Sequence, residues 1–377
     1  MAPILLFDCR PEPAALEALA PVLASGQLAS GPNVPALEQA LANYLQRTDV
    51  ICLGDATHAL ALALQLAGVE PGHDVLTLSY NCMSSNAAIA HVGATPVWVD
   101  IDEDTATISL ADCERAITPR TKALVVYHVA GYPAPLPALR AFCDSHRIAL
   151  IEDANNALAA TLDARKIGTF GDFAVFSFYA NRQVNGVDGA ALVCPDGATA
   201  AGARRLRRYG IDVPRFRDAR GEIDARSDIP RIGMSSPLNH VQATLALAHL
   251  RTLDVRVDRN RRHVQTLAGR LADVHAVRPI AWEAGAQPAF WTWLVRCGDR
   301  DTLLERLKGR GVQCSKLHQP NDVYSGFGSA ARALPHTARF IDEILALPCG
   351  WWLADSTLEL LADEVRAAAA GLRGPGG

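Results

Sequence analysis

The chain has 377 residues, 49% of them apolar, with a net charge of −4 and a pI near 6.3. That length supports one large core and a smaller second unit, and the mild acidity argues against a general nucleic-acid or membrane-surface role. The opening residues 1–7 lack the length and basic flank of a signal peptide, and no apolar run reaches the ~18 residues of a membrane span. Nine cysteines are scattered without a CxxC pair. That pattern predicts reduced, mostly buried thiols in a cytosolic protein, with neither a disulfide framework nor a metal site.

In chain order, residues 1–30 read as an N-terminal arm. Val34 to Gln46 has helical periodicity, and Ala56 to Ala67 predicts an apolar helix entered through Gly54 and Asp55. Short apolar runs follow at 74–78, 96–100, 123–127, 148–151, 173–178 and 190–194, several of them separated by helical segments such as 136–145. Continuous apolar strands joined by crossover helices predict an α/β fold, with a mostly parallel central sheet covered by helices on both faces. Ligand sites in such sheets lie beyond the carboxyl ends of the strands, where Asp153 and the segment after Phe178 fall. The Arg-rich stretch 204–231 reads as a surface excursion. From about Leu250 longer helices take over, with a strand at Trp291 to Cys297. The expected division is a large unit at 1–248 and a smaller α+β unit at 249–377.

The stretch from Phe173 to Val193 carries the most information. It reads as a buried strand ending in Ser177 and Phe178, a loop, then Asp188-Gly189 and a second strand. Preceded by Ile151 to Ala154 and Ile167 to Asp172, it closely resembles the DegT/StrS-type sugar aminotransferases. The segments 25–31, 93–102, 131–134, 208–212, 321–327 and 348–352 extend the resemblance from about residue 23 to the end. It implies the type I aminotransferase fold and a homodimer with a shared cleft.

In that family a lysine five residues after the serine holds pyridoxal phosphate (PLP) as an imine, and here the position is Arg182. A guanidinium effectively never loses its proton, so it cannot form the imine. The chain has four lysines against 32 arginines, and none is an obvious stand-in. Other positions divide. Asp153 matches the aspartate that pairs with the pyridine nitrogen, and Ser177 and Thr57 match phosphate contacts. Ala56 replaces the usual glycine at the helix start, and Asp55 brings a carboxylate there, although its more ordinary role is a helix cap. The partner-subunit motif reads Gly233 to Leu238, with Ser235 and Pro237 at its key positions, and Asn156 replaces a His or Gln.

These departures lead to the expectation of no cofactor, with PLP or its aminated form, PMP, bound non-covalently as the alternative. Arg182 either pairs with Asp153 and fills the old ring site, or clamps a substrate carboxylate or phosphate. Arg182, Asp153 and His318 are the candidate catalytic residues. Asp55, Thr57, Tyr179, Asn181, Asn156, Ser177, Asp188 and Asn321 are candidate substrate contacts, and turn chemistry accounts for Asn185-Gly186. The expected activity is PLP-independent acid–base or condensation chemistry on a polar, anionic small molecule in sugar-nucleotide or specialised biosynthesis. The other readings are a PMP-type sugar dehydratase and a non-catalytic partner of an active paralogue.

Overall fold

The computed structural model describes residues 3–328 and 331–376. The strands are β1 (Val50–Leu53), β2 (Asp74–Leu78), β3 (Thr95–Val99), β4 (Thr121–Tyr127), β5 (Ala149–Asp153), β6 (Thr161–Leu162), β7 (Arg165–Lys166), β8 (Phe173–Ser177), β9 (Ala190–Val193), β10 (Arg278–Pro279), β11 (Ala286–Gln287), β12 (Trp293–Arg296) and β13 (Ile344–Leu347). The main sheet has the order β1-β9-β8-β5-β4-β2-β3, and β9 alone runs against the other six strands. β6, β7 and β11 form one small antiparallel sheet, and β10, β12 and β13 another.

Strand residues alternate between two cores. Ile51, Leu53, Val75, Val125, Ile151, Val175 and Leu192 face one side of the sheet; Cys52, Leu76, Leu124, Val126, Leu150, Phe176 and Val193 face the other. Both faces are apolar because both are covered by helices, so the strands show no polar alternation in sequence. The helix at Ala56–Leu66 enters from β1 on the first side, and the helix at Asn33–Leu45 lies on the second. β1 is the strand the sequence did not reveal: four residues wedged between a helix and Gly54 leave too little pattern to read. The predicted strand at 291–297 is shorter, beginning at Trp293.

The excursion at 204–231 is largely exposed after the helix at Gly197–Leu206, as expected. A long helix at Leu253–Arg270 follows. All nine cysteines are free, and all but Cys9 and Cys82 are buried. No metal-holding cluster exists among the described residues, and none of their helices is long and apolar enough to cross a membrane.

The end of β5 is fixed by Glu152. Its side chain is fully buried and accepts the backbone N–H groups of Gly168 (2.7 Å), Phe170 (2.8 Å) and Gly171 (2.6 Å), with His128 Nε2 3.4 Å away. These bonds bind the 168–171 turn to the strand that carries Asp153. Gly168 has φ +90°, and a Cβ there would meet the Phe176 ring at 2.2 Å, so the turn accepts no side chain. Replacing Glu152 by Ala leaves three N–H groups without an acceptor, one of them buried and two part-buried. Denaturant unfolding of Glu152→Ala is expected to show a loss of about 3 kcal/mol or more; a change under about 0.5 kcal/mol would mean the turn holds itself.

Candidate active site

The carboxyl ends of β2, β4, β5 and β8 share one edge of the sheet, and chain order reverses between β4 and β2. Side chains gather at this switch point. Asn81 follows β2, Tyr127 ends β4, Asp153 ends β5 and Ser177 ends β8. Ser177 pairs with Ala190, and Ala190 with Leu53, so the helix starting at Ala56 opens on the same edge.

Asp153 is fully buried. Asn81 Nδ2 donates to its Oδ2 at 3.3 Å, and the Asn155 N–H to its Oδ1 at 3.4 Å. Burial raises its carboxyl above the ordinary range. The proposed Arg182–Asp153 pair is not made: no ion pair within 4 Å joins them among the described residues. The reason lies behind Arg182. Its guanidinium stacks on the Trp291 ring at 4.6 Å, and its Nη1 donates to Asn181 Oδ1 at 2.6 Å. The Trp291 indole N–H donates in turn to the Asn181 carbonyl at 2.7 Å, locking the stack, and Phe7 covers Trp291 at 4.6 Å. The cleft is therefore not self-neutralised, which removes the main support for a non-catalytic partner.

His318 meets this group. Its Nε2 lies 3.2 Å from the Tyr127 hydroxyl, which accepts Asn156 Nδ2 at 2.8 Å. Burial, and then the Arg182 charge, lower the His318 imidazole to about 4, while burial pushes the Tyr127 phenol up. His318 is then neutral, and one proton is shared between its Nε2 and the Tyr127 hydroxyl. Tyr127 and Trp291 were not among the sequence candidates. Tyr127 could have been found as the last residue of a predicted parallel strand; nothing in the sequence marks Trp291.

The remaining candidates divide. Asp55 caps the helix, accepting the His58 N–H at 2.9 Å, as its ordinary role predicts. Thr57 lies half-buried in that first turn, where the N–H groups of Ala56 and Thr57 have no partner among the described residues. Ser177 Oγ accepts the Tyr179 N–H at 3.1 Å, and Tyr179 itself is 52% exposed. Asp188 holds the Gly189 N–H at 2.7 Å, and burial raises its carboxyl, with the Asp55 charge adding to this. Asn185 accepts the Val187 N–H, as turn chemistry predicts.

Asn321 is a correction: it is buried and fully occupied, so it is no substrate contact. Its Nδ2 donates to the carbonyls of Asn81 (3.1 Å) and Gln319 (3.0 Å), and its Oδ1 accepts Asn86 Nδ2 at 2.9 Å. It props the loop that holds Asp153. The lysines are occupied elsewhere or remote in the fold. Lys166 sits over the Tyr44 ring, Lys316 pairs with Asp301, Lys308 is on the Arg300–Gly309 helix and Lys122 is in β4.

The donor set can be tested against a pyridine cofactor. A buried carboxylate without a cation within 4 Å among the described residues is what a protonated ring nitrogen would satisfy. Free N–H groups and the Thr57 hydroxyl at a helix start, with Ser177 on the same edge, suit a phosphate. The residues fit the group in kind. Asp153 is closed to solvent, however, so a ring that reaches it must displace side chains above it.

The chain resembles known enzymes along nearly its whole length. It is 32% identical to the dTDP-3-amino-3,4,6-trideoxy-alpha-D-glucose transaminase of Micromonospora megalomicea subsp. nigra, over 95% of each chain. The aminotransferase TlmJ from Streptoalloteichus hindustanus superposes with a TM-score of 0.91 at 32% identity, covering 98% of this chain and 99% of TlmJ. DesV of S. venezuelae, solved in complex with a ketimine intermediate, has a TM-score of 0.89 at 29% identity, covering 98% and 99%. The fold is thus the type I aminotransferase fold. The expectation that no cofactor is used is overturned: these relatives are transaminases, and a ketimine is a cofactor-borne species of PLP transamination. Asp153, left without a counter-charge by its own protein, agrees with that correction. The family description DegT/DnrJ/EryC1/StrS aminotransferase matches residues 11–366, and the chain belongs to that family.

Proposed function

We propose that this biosynthetic enzyme holds PLP or PMP without a covalent lysine link and acts on a nucleotide-linked sugar. The observation that carries the reading is the pairing of opposites at one sheet edge. Asp153 awaits a cation, while Arg182, where the resemblance places the lysine, cannot form an imine. The relatives' substrates suggest a dTDP-linked keto or amino sugar. When bound, the cofactor supplies an electron-withdrawing ring that eases loss of a proton beside nitrogen.

The chain's residues do the rest. Asp153 holds the proton on the ring nitrogen, and Thr57, Ser177 and the Ala56–Leu66 helix start hold the phosphate. Arg182 keeps a fixed charge and moves no proton. Neutral His318, bonded to Tyr127, is the group left to accept one. A homodimer belongs to the same reading: Tyr209, Val213 and Ile223 on the excursion, and Ile232 just after it, are all more than half exposed and suit a subunit contact. Light scattering is expected to give a dimer at micromolar concentration, and a monomer would remove that part.

The missing imine is directly testable. Wild-type protein incubated with PLP and borohydride is expected to carry no adduct on any lysine by mass spectrometry. Arg182→Lys is expected to trap one equivalent on the new side chain. An adduct on a native lysine, or none on the variant, would contradict the reading.

His318 gives a pH prediction. Its folded pKa of about 4 lies below its ordinary value of 6.5, so between these values the unfolded chain binds the extra proton. Stability should therefore fall as pH drops from about 6.5 towards about 4, and His318→Gln should flatten that slope. An unchanged slope in denaturant titrations would place the imidazole in an ordinary environment.

A further inference from the structure

Arg182 is held from behind and unanswered in front. Its Nη1 has Asn181 Oδ1, its plane has Trp291, and the Trp291 ring is fixed by the Asn181 carbonyl and by Phe7. Its Nε has no accessible surface and no hydrogen-bond partner, and its Nη2 has no partner among the described residues. Among the described residues no carboxylate lies within 4 Å of the guanidinium. The neighbouring groups Tyr127 and His318 are uncharged near neutrality, and Asp153 acts on Arg182 only from beyond 4 Å, with Asn81 donating to its Oδ2. Contrast Arg256, more deeply buried, which is paired with Glu12 at 2.6 Å and bonded to the Gln183 carbonyl. Buried cations in folded proteins are paired, because the desolvation of a lone one is uncompensated.

We infer that Arg182 is an oxyanion clamp, its Nη2 binding a carboxylate or phosphate oxygen of the molecule that enters the cleft. This goes beyond a cofactor held without a lysine link, and it stands whether or not that reading does. Nη2 carries two N–H donors on a fixed charge, and its bonds to a carboxylate or phosphate oxygen are charge-assisted. The stack on Trp291 fixes the fork before binding, so little side-chain freedom is lost when the anion arrives. A lysine at this place would present a point charge and a nucleophile. The arginine presents a directional charge and no nucleophile, which turns the position from covalent anchor to ligand recognition.

The anion has two sources, the substrate or the cofactor, and calorimetric titration separates them. The probes are succinate, inorganic phosphate and PMP, each added to the cofactor-free full-length protein, to Arg182→Met and to Arg182→Lys. A clamp predicts that at least one probe binds wild type and loses about 10- to 100-fold affinity in Arg182→Met. Arg182→Lys should recover part of that loss. Dependence on Arg182 for succinate or phosphate points to a substrate group; dependence for PMP alone points to a cofactor oxygen. The cofactor reading fails separately, if PMP binds no form of the protein.

Thermal unfolding provides a second readout. Without ligand, Arg182→Met should be as stable as wild type or more so, since an unanswered charge is removed. With the bound probe, wild type should gain stability and the variant should not. A marked loss of stability in ligand-free Arg182→Met would make the arginine structural and overturn the clamp. Equal affinity of every probe for wild type and Arg182→Met, or no binding of any probe to wild type, would also overturn it.

Discussion

The structure turns on a buried carboxyl group and a half-buried guanidinium that do not meet. Among the described residues, Asp153 ends the central strand with no cation within 4 Å, and Arg182 lies on a Trp291 platform with no carboxylate within 4 Å. Either charge alone would be costly in a dry interior, and direct pairing would have cancelled both. Asn81 holds one and Asn181 the other, keeping them apart. Such an arrangement makes sense if each is completed by a ligand: a protonated ring nitrogen for the carboxylate, an oxyanion for the guanidinium.

The scaffold behind them is correspondingly stiff. Glu152 ties the 168–171 turn to the strand beneath Asp153 through three backbone bonds. Asn321 and Asn86 brace the loop that carries Asn81 from the other side. Arg182 needs the N-terminal arm as well, since Phe7 covers the far face of its Trp291 platform. Polar groups that sequence reasoning would assign to a ligand are thus spent partly on holding others in place. Placement of the first shell is only as good as these supports.

Much of the fold was legible because fully covered parallel strands write themselves as unbroken apolar runs. Asp74–Leu78, Phe173–Ser177 and Ala190–Val193 lie within a residue of their predicted bounds. Val50–Leu53 escaped because an edge strand of four residues carries no period. In the site, Asp153 was legible from its place at the end of a predicted strand, and Ser177 and Thr57 only through the family resemblance. Asn321 was misjudged, because a polar residue in a loop looks the same whether it faces a ligand or a buried carbonyl. The direct Arg182–Asp153 pair was also misjudged: the competing partner, Trp291, is more than a hundred residues away in sequence. The expectation of a cofactor-free cleft came from weighing lost residues. It let Arg182 neutralise the buried Asp153, and that pair is not made among the described residues.

The central claim is that Asp153 completes its charge with a protonated ring nitrogen while no lysine holds the cofactor. Nitrogen-15 NMR of ring-labelled PMP bound to the protein reads that proton directly. The account predicts a pyridinium signal in wild type that persists above the pH at which free PMP loses its ring proton, and a neutral pyridine in Asp153→Asn with PMP still bound. A neutral ring in wild type, or a pyridinium unaffected by Asp153→Asn, would contradict it.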